Sequence, residues 1–164
     1  MEGCELRLEE DCRPDLRVIA AGTLATVLRA SDLPVFVVDA RFGYEYDGGH
    51  IRGAVNAPAA EDLHRLTLSL PDTTLLVFHC EFSECRAPAL CRWLRNEDRK
   101  ANAENFPRLS FPHLYVLKGG YAAFYAEFPD LCEPCGYVKM KEEGRKRERK
   151  EGLARVRKGY GRLV

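Results

Sequence analysis

Apolar residues gather in short runs that alternate with polar segments over the first 130 residues of this chain. Four runs predict strands. Three of them are rich in β-branched and aromatic residues, which is typical of strands buried on both faces of a parallel sheet. The runs are Val35–Asp39, Leu75–His79, Leu114–Leu117 and a small fourth one at Val18–Ile19.

Between these runs, apolar positions recur at helical spacing. The predicted helices are Thr23–Arg29 with Thr23 as N-cap, residues 61–69, residues 88–99 with Pro88 in the first turn, and a short helix from Gly119–Gly120 to about Phe128. Alternating strands and helices predict an α/β domain with a mostly parallel sheet.

The chain divides into three parts by composition. Residues 1–15 form a short polar N-terminal extension, residues 16–138 carry the strand and helix pattern, and residues 139–164 form a basic C-terminal tail. The tail has only scattered apolar residues, so we expect a tail or a partly helical extension that contributes nothing to the core.

Charge follows the same division. The 164 residues hold 25 Lys and Arg and 25 Asp and Glu, so the net charge is zero. The tail carries eleven basic and four acidic residues, whereas residues 1–138 carry fourteen basic and twenty-one acidic residues. An acidic body therefore has a basic tail. At 46% apolar residues the chain can bury a core, which excludes a disordered chain.

We expect that the seven cysteines do not form a disulfide framework, because the sequence predicts a reducing compartment. No apolar run reaches the roughly 20 residues that cross a bilayer, and the acidic N-terminus lacks a secretory signal, so we expect a reducing compartment and no membrane. Cys132 and Cys135 form one C-x-x-C pair, but a zinc site needs four ligands and the sequence has no second pair with suitable spacing. We interpret the two residues as surface or packing cysteines.

The segment from Val77 to Pro88, VFHCEFSECRAP, carries the chemistry. Cys80 stands at the carboxyl end of a predicted strand, where α/β folds place ligands, and Arg86 follows after five residues at the start of a helix. The loop amides and the helix dipole favour an anion and a thiolate. Arg86 can bind two oxygens of a phosphate. This arrangement predicts attack of Cys80 on phosphorus.

Two carboxylates lie in this loop, Glu81 and Glu84. One explanation is a proton donor, because a carboxyl group near bound phosphate can protonate the leaving oxygen. The other is that both side chains point away from the anion, and both explanations stay open. Ser83 has two interpretations, assistance to the proton donor or a hydrogen bond between its hydroxyl and a loop amide, and we favour the hydrogen bond.

Three blocks resemble the catalytic domain of the M-phase inducer phosphatases, which are dual-specificity phosphatases that activate cyclin-dependent kinases. They are VVDARFGYEYDGGHIRGAVN, VFHCEFSECRAP and NFPRLSFPHLYVLKGGYAAFYAEFP, within about residues 16–140. The resemblance implies a rhodanese-like fold with a mostly parallel five-stranded sheet flanked by helices. It also implies a phosphocysteine intermediate, hydrolysis of phosphotyrosine and phosphothreonine, and a role in entry into mitosis.

The resemblance also implies roles for single residues. Cys80 is the nucleophile, Arg86 the phosphate ligand and Glu81 the proton donor; Asp39 and Arg41 support the site, although a surface ion pair is an equally good interpretation of Arg41. Residues remote from the site dock the kinase. The phosphate-binding loop is Glu81, Phe82, Ser83, Glu84, Cys85 and Arg86, and the docking residues are Arg95, Arg99 and Phe106.

Partners and cofactors follow from the same resemblance. We expect no cofactor and no metal, since the chemistry needs only a thiolate and a cationic loop, and a monomer in the nucleus or cytoplasm. The partner is a phosphorylated cyclin-dependent kinase with its cyclin. Nucleic-acid binding is not expected, because the body is acidic and the run Arg145–Lys150 lacks aromatic residues. That run is a nuclear import signal, a binding segment for an acidic partner, or a solvated helix, and these alternatives stay open.

One residue departs from the family pattern. Family members usually place a cysteine between the Asp and Arg of the first block, where it forms a protective disulfide with the nucleophile, and this chain has Ala40 there. That redox mechanism is in doubt, and Cys85 is a weak substitute. His50, in the GGHI turn, is interpreted as structural.

Two other functions compete with a phosphatase. A rhodanese-type sulfurtransferase shares the fold, but its loop usually has four residues between the cysteine and the basic residue, and this loop has five. A non-catalytic binding module is disfavoured by the intact Cys80 and Arg86. Ordinary tyrosine phosphatases usually have a loop glycine and Ser or Thr after the arginine, where this chain has Ala87.

Overall fold

Seven strands and six α-helices are found in a computed structural model, which describes residues 6–30, 33–72 and 74–160. The strands are β1 (Val18–Ile19), β2 (Val35–Asp39), β3 (His50–Ile51), β4 (Val55–Asn56), β5 (Leu75–His79), β6 (Leu114–Leu117) and β7 (Cys132–Glu133). The helices are α1 (Ala21–Ala30), α2 (Gly43–Asp47), α3 (Ala60–Thr67), α4 (Arg86–Ala101), α5 (Gly120–Glu127) and α6 (Lys146–Tyr160).

Five of the strands form one sheet, in the order β1-β6-β5-β2-β4, and every neighbouring pair is parallel. The remaining two, β3 and β7, form a small antiparallel ribbon. The predicted five-stranded parallel sheet is confirmed. The four strands expected from apolar runs have the predicted bounds. The three longer ones, β2, β5 and β6, form the centre of the sheet, where both faces of a strand are buried.

Alternate residues of each strand point to opposite faces of the sheet, and each face has its own core. Val77 of β5 packs with the cluster that contains Leu24 of α1 and Phe124 of α5. Phe78 packs with the other cluster, which contains Leu63 of α3 and Leu90 of α4. The sheet therefore has helices on both sides.

Helices α1 and α4 each begin two residues earlier than predicted, and α3 begins one residue earlier. The amide of Leu24 donates to the carbonyl of Ala20 at 3.2 Å, so α1 already begins at Ala21 and Thr23 is not its N-cap. Likewise, α4 begins at Arg86, and Pro88 is its third residue, within the first turn as expected.

The C-terminal tail packs against the body, and the expectation that it adds nothing to the core is wrong. Val156 of α6 is 1% exposed. A Cβ at Gly152 would lie 2.5 Å from the Phe42 ring, so the helix lies directly on that ring. Arg155 pairs with Asp62 of α3 at 2.6 Å. In the described part of the chain, no helix combines the length and apolar content needed to span a membrane.

Candidate active site

The predicted catalytic loop lies between β5 and α4, at the carboxyl end of the central strand of the sheet. Cys80 follows β5 directly and is 4% exposed, and Arg86 begins α4 and is 5% exposed. Both residues line one cleft. The structure therefore brings together the two residues that the sequence assigned to nucleophilic attack and phosphate binding.

Helix α5 and the N-terminal extension hold the carbonyl groups of this loop. The carbonyls of Cys80 and Glu81 accept hydrogen bonds from the amides of Tyr121 (2.9 Å) and Ala122 (3.0 Å) at the start of α5. A guanidinium nitrogen of Arg13 donates to the carbonyl of Ser83 at 2.7 Å.

The amides of the loop differ from its carbonyls. Within residues 6–30, 33–72 and 74–160, no acceptor is recorded for the amides of residues 81–86. Unpaired amides at a helix N-terminus are anion ligands, and here the dipole of the 16-residue α4 adds to them. The loop backbone can therefore bind oxyanion oxygens.

A buried carboxylate fixes the guanidinium of Arg86. Glu45 of α2 accepts two hydrogen bonds from it, at 2.6 and 3.0 Å, and also one from the Phe42 amide at 3.0 Å. Burial opposes the charge of Arg86, but this bidentate pair raises its pKa above the ordinary value. Two of its five N–H groups are used, and the others remain for a phosphate. The sequence did not reveal Glu45, which lies 41 positions away.

Asp39 and Arg41 lie beneath the site. Both side chains are fully buried and paired, with 2.6 Å between Oδ2 and Nη2, so the alternative of a surface ion pair is wrong. Arg41 also donates to the carbonyl of Gly49 and stacks on the Tyr121 ring at 3.9 Å. The Asp39 carboxylate lies 3.6 Å from Nε2 of His79, the residue before the nucleophile.

Burial and charge act in opposite directions on these groups. Burial alone raises the pKa of Asp39, but the charge and hydrogen bonds of Arg41 hold it below its ordinary value. Burial lowers the pKa of His79, which favours the neutral imidazole. The arrangement fits a supporting role for the end of the strand that carries Cys80.

The Glu81 carboxylate faces the C-terminal segment. It accepts hydrogen bonds from the Tyr137 hydroxyl at 2.8 Å and from the Met140 amide at 3.3 Å. Burial and this bond to Glu81 raise the pKa of Tyr137. A proton donor needs a protonated oxygen directed at the leaving group, whereas here each oxygen accepts a hydrogen bond from Tyr137 or Met140. The donor role of Glu81 stays a prediction.

The other loop residues differ in exposure. Ser83 is buried in the left-handed region at φ 56°, and no partner for its hydroxyl is recorded in the described part of the chain, so the expected bond to a loop amide is not found. Phe82, Glu84 and Cys85 are exposed. Ala40 is fully buried, and its amide donates to the carbonyl of His79 at 2.8 Å.

A cleft of about 480 Å³ opens beside the nucleophile. The catalytic loop forms one wall, and the C-terminal segment forms the other. Residues on this second wall were not predicted, because the tail was expected to lie outside the fold. They are Lys139, Met140, Lys141, Leu153 and Arg157.

The three predicted docking residues differ in their surroundings. Arg95 is half-buried and donates to Asp98 and to the carbonyls of Phe111 and Pro112. Arg99 is exposed, and both arginines line a groove of about 520 Å³ on α4. Phe106 is 88% exposed and does not line that groove. His50 stacks on Tyr46 at 3.7 Å between ring centroids.

Comparison with known proteins agrees with this geometry. Residues 23–127 match the family described as "Rhodanese-like domain". The chain is 44% identical to M-phase inducer phosphatase 1-B of Xenopus laevis over 137 residues, which cover 77% of this chain and 24% of that protein. It is 40% identical to M-phase inducer phosphatase 3 of Homo sapiens over 156 residues, which cover 88% and 33%.

One solved structure gives the same fold at lower identity. It is Ygr203w of Saccharomyces cerevisiae, described as a homolog of single-domain rhodanese and Cdc25 phosphatase catalytic domain. It has a TM-score of 0.60 and 23% identity, and the match covers 76% of this chain and 90% of that one. The chain spans only 24–33% of the length of the two phosphatase relatives above.

Proposed function

This chain belongs to the rhodanese-like domain family, and on that premise we propose that it is a cysteine-dependent dual-specificity protein phosphatase. The observation that carries the proposal is the catalytic loop. A nucleophile and an arginine stand at its two ends, its carbonyls bond to neighbouring elements, and its amides have no recorded acceptor among the described residues. Five residues separate Cys80 from Arg86, which suits the larger phosphate better than the sulfur-transfer chemistry of rhodaneses.

The proposed reaction has two steps. The Cys80 thiolate attacks phosphorus, the S–P bond forms as the P–O ester bond breaks, and the leaving oxygen takes up a proton. Arg86 and the loop amides stabilise the charge on the non-bridging oxygens. Water then attacks the phosphocysteine and the S–P bond breaks. Inorganic phosphate leaves and the thiolate is regenerated.

We infer that the substrate is a phosphorylated cyclin-dependent kinase with its cyclin. Two relatives at 40–44% identity are named M-phase inducer phosphatases, which supports a protein substrate in the cell cycle. Docking on Arg95, Arg99 and Phe106, action as a monomer and location in the nucleus or cytoplasm belong to the same proposal.

The test is to assay one preparation for phosphate release from an aryl phosphate and for sulfur transfer from thiosulfate to cyanide. We expect phosphate release, and we expect Cys80→Ser to reduce it by at least about 10³-fold, because the hydroxyl is a far weaker nucleophile. Cys135→Ser is the matched control, since it removes an exposed thiol outside the loop. Sulfur transfer without phosphate release would show that the chain is a sulfurtransferase instead. If Cys80→Ser retains its activity, attack by the Cys80 thiolate is excluded.

A further inference from the structure

The catalytic loop is held at its start and at its middle, each time through carbonyl groups. At its start, amides of α5 bind the carbonyls of Cys80 and Glu81. At its middle, Nη1 of Arg13 donates to the carbonyl of Ser83 at 2.7 Å. A trans peptide unit is planar and its carbonyl and amide point in opposite directions, so the amide of Glu84 is directed away from Arg13. Glu84 lines the cleft and Arg13 does not, so this amide is available to an anion in the cleft.

Ser83 has a backbone conformation that needs support from outside the loop. Its φ is 56°, which is unfavourable for a residue with a Cβ. A left-handed residue in such a loop reverses the direction of the peptide unit, so that neighbouring amides can converge on an anion. The Ser83 hydroxyl is buried, and no partner for it is recorded among the described residues. The bond from Arg13 to the carbonyl is therefore the recorded contact that stabilises this conformation.

A carboxylate fixes the guanidinium of Arg13. Asp11 accepts hydrogen bonds from Nε at 2.6 Å and from Nη2 at 2.7 Å, and a third from the backbone amide of Arg13 at 2.9 Å. The side-chain bonds lower the pKa of Asp11 to about 2, so the carboxylate is charged at neutral pH. Nη1 is the remaining nitrogen of the guanidinium, and it binds Ser83. Arg13 therefore reaches the loop in one defined orientation.

The N-terminal segment that carries this pair is attached to the body at three further points. Leu6 is 7% exposed and belongs to the core on the side of α1 and α5. The amide of Glu9 donates to the carbonyl of Val18 in β1 at 2.7 Å. Asp15 accepts two hydrogen bonds from Arg92 of α4, at 2.6 and 3.0 Å. The guanidinium thus acts on the loop from a fixed backbone.

We propose that Arg13 is a positioning residue, which holds the Ser83 carbonyl so that the amide of Glu84 binds an oxygen of the phosphoryl group. The proposal rests on the proposed phosphatase function and assigns part of its active site to the N-terminal extension. Removal of the guanidinium leaves the Ser83 carbonyl without its recorded donor, and its peptide unit can then rotate and turn one anion ligand away. No local pattern marks this role, since Arg13 acts through a residue 70 positions later.

The experiment measures anion binding and catalysis on the same variants. Tungstate, a tetrahedral oxyanion, is titrated by calorimetry, phosphate release is measured with p-nitrophenyl phosphate, and urea unfolding gives the free energy of unfolding. We expect Arg13→Ala to weaken tungstate binding and to lower kcat/KM, each by about tenfold, because one charge-assisted hydrogen bond is lost. Arg13→Lys keeps a charged donor and should remain within about threefold of the unmodified chain.

Asp15→Asn is the matched control, because it breaks the other ion pair of the same segment, which joins that segment to α4. It should change the tungstate affinity and kcat/KM by less than about twofold. A role in folding alone would lower the free energy of unfolding of Arg13→Ala and leave the tungstate affinity of the folded protein unchanged. That result would overturn the proposal, as would an equal loss in Asp15→Asn or an Arg13→Lys variant as impaired as Arg13→Ala.

Tungstate binding separates this proposal from the proposed function, because it needs no chemical step. If the unmodified chain releases no phosphate from any substrate, the phosphatase proposal fails, while a loss of tungstate affinity in Arg13→Ala but not in Asp15→Asn still supports the positioning role. If phosphate is released and Arg13→Ala keeps both the affinity and the rate, the positioning role alone fails. Absence of tungstate binding to the unmodified chain would contradict both proposals.

Discussion

Glu81 follows the nucleophile in the chain, and its side chain has two possible roles. The resemblance implies that Glu81 donates the proton to the leaving group. Its hydrogen bonds with Tyr137 and Met140 instead indicate that it connects the catalytic loop to the C-terminal segment. The two roles differ in what they predict for the leaving group. A proton donor matters most when the leaving oxygen is basic, and a positioning residue matters equally for every leaving group.

We expect Glu81→Gln to lower kcat/KM by similar factors on phenyl phosphate and on p-nitrophenyl phosphate. The glutamine carbonyl can still accept from Tyr137, but its NH₂ group cannot accept from the Met140 amide. The measurement is the ratio of the two losses, with a thermal unfolding curve as a check on the fold. A loss at least about tenfold larger on phenyl phosphate would establish Glu81 as the donor. The same pair of substrates applied to Glu84→Gln tests the other carboxylate of the loop.

At the scale of elements, α5 is the support of the catalytic loop. It begins at Gly120, which has a φ of 61°, and its first amides bind the carbonyls of Cys80 and Glu81. A Cβ at Gly120 would lie 2.5 Å from the Cys80 carbonyl oxygen and 2.6 Å from that of Glu81. These are backbone atoms, so no flexible side chain can give way.

Gly120→Ala should therefore displace the loop and greatly reduce phosphate release. Gly53→Ala is the matched control, because Gly53 has a φ of 78° but a Cβ there meets nothing within 4 Å. Both variants carry the left-handed penalty of about 1–2 kcal/mol, and only the first distorts the loop. Phosphate release and the free energy of unfolding are measured for both. Equal activity in the two variants would show that α5 does not set the loop geometry.

The elements also show what the sequence could predict. The bounds of β2, β5 and β6 were correct because a run such as Leu75–His79 has only one favourable environment, the buried centre of a parallel sheet. Cys80 and Arg86 were found because both belong to one continuous loop.

Other parts of the site could not be predicted in this way. Glu45 reaches Arg86 only through the packing of α2 against the loop, and no local pattern marks such a pair. The packing of the tail could not be predicted because α6 is charged on most faces. Its contacts with the body are few and scattered: the buried Val156, the close approach at Gly152 and the Arg155–Asp62 pair.

At the scale of the whole molecule, positive charge is placed on particular surfaces of a chain with no net charge. Arg86, Lys139, Lys141 and Arg157 line the cleft beside the nucleophile. Arg95 and Arg99 lie along a separate groove on α4. Two surfaces of this kind suit a folded protein substrate, which can bind at a distance from the residue that reacts. A short peptide reaches only the first surface.

Docking predicts that Arg99→Ala/Phe106→Ala lowers kcat/KM on a doubly phosphorylated cyclin-dependent kinase–cyclin complex by at least about tenfold and leaves a phosphopeptide unaffected. Both residues are exposed. Arg95 is unsuitable for the test because it binds two backbone carbonyls and Asp98, so its removal also affects folding. Lys150→Ala/Leu68→Ala, an exposed cation and a 74% exposed leucine elsewhere, is the control. Equal losses on kinase and peptide would contradict docking, because a remote contact acts only on a substrate large enough to reach it.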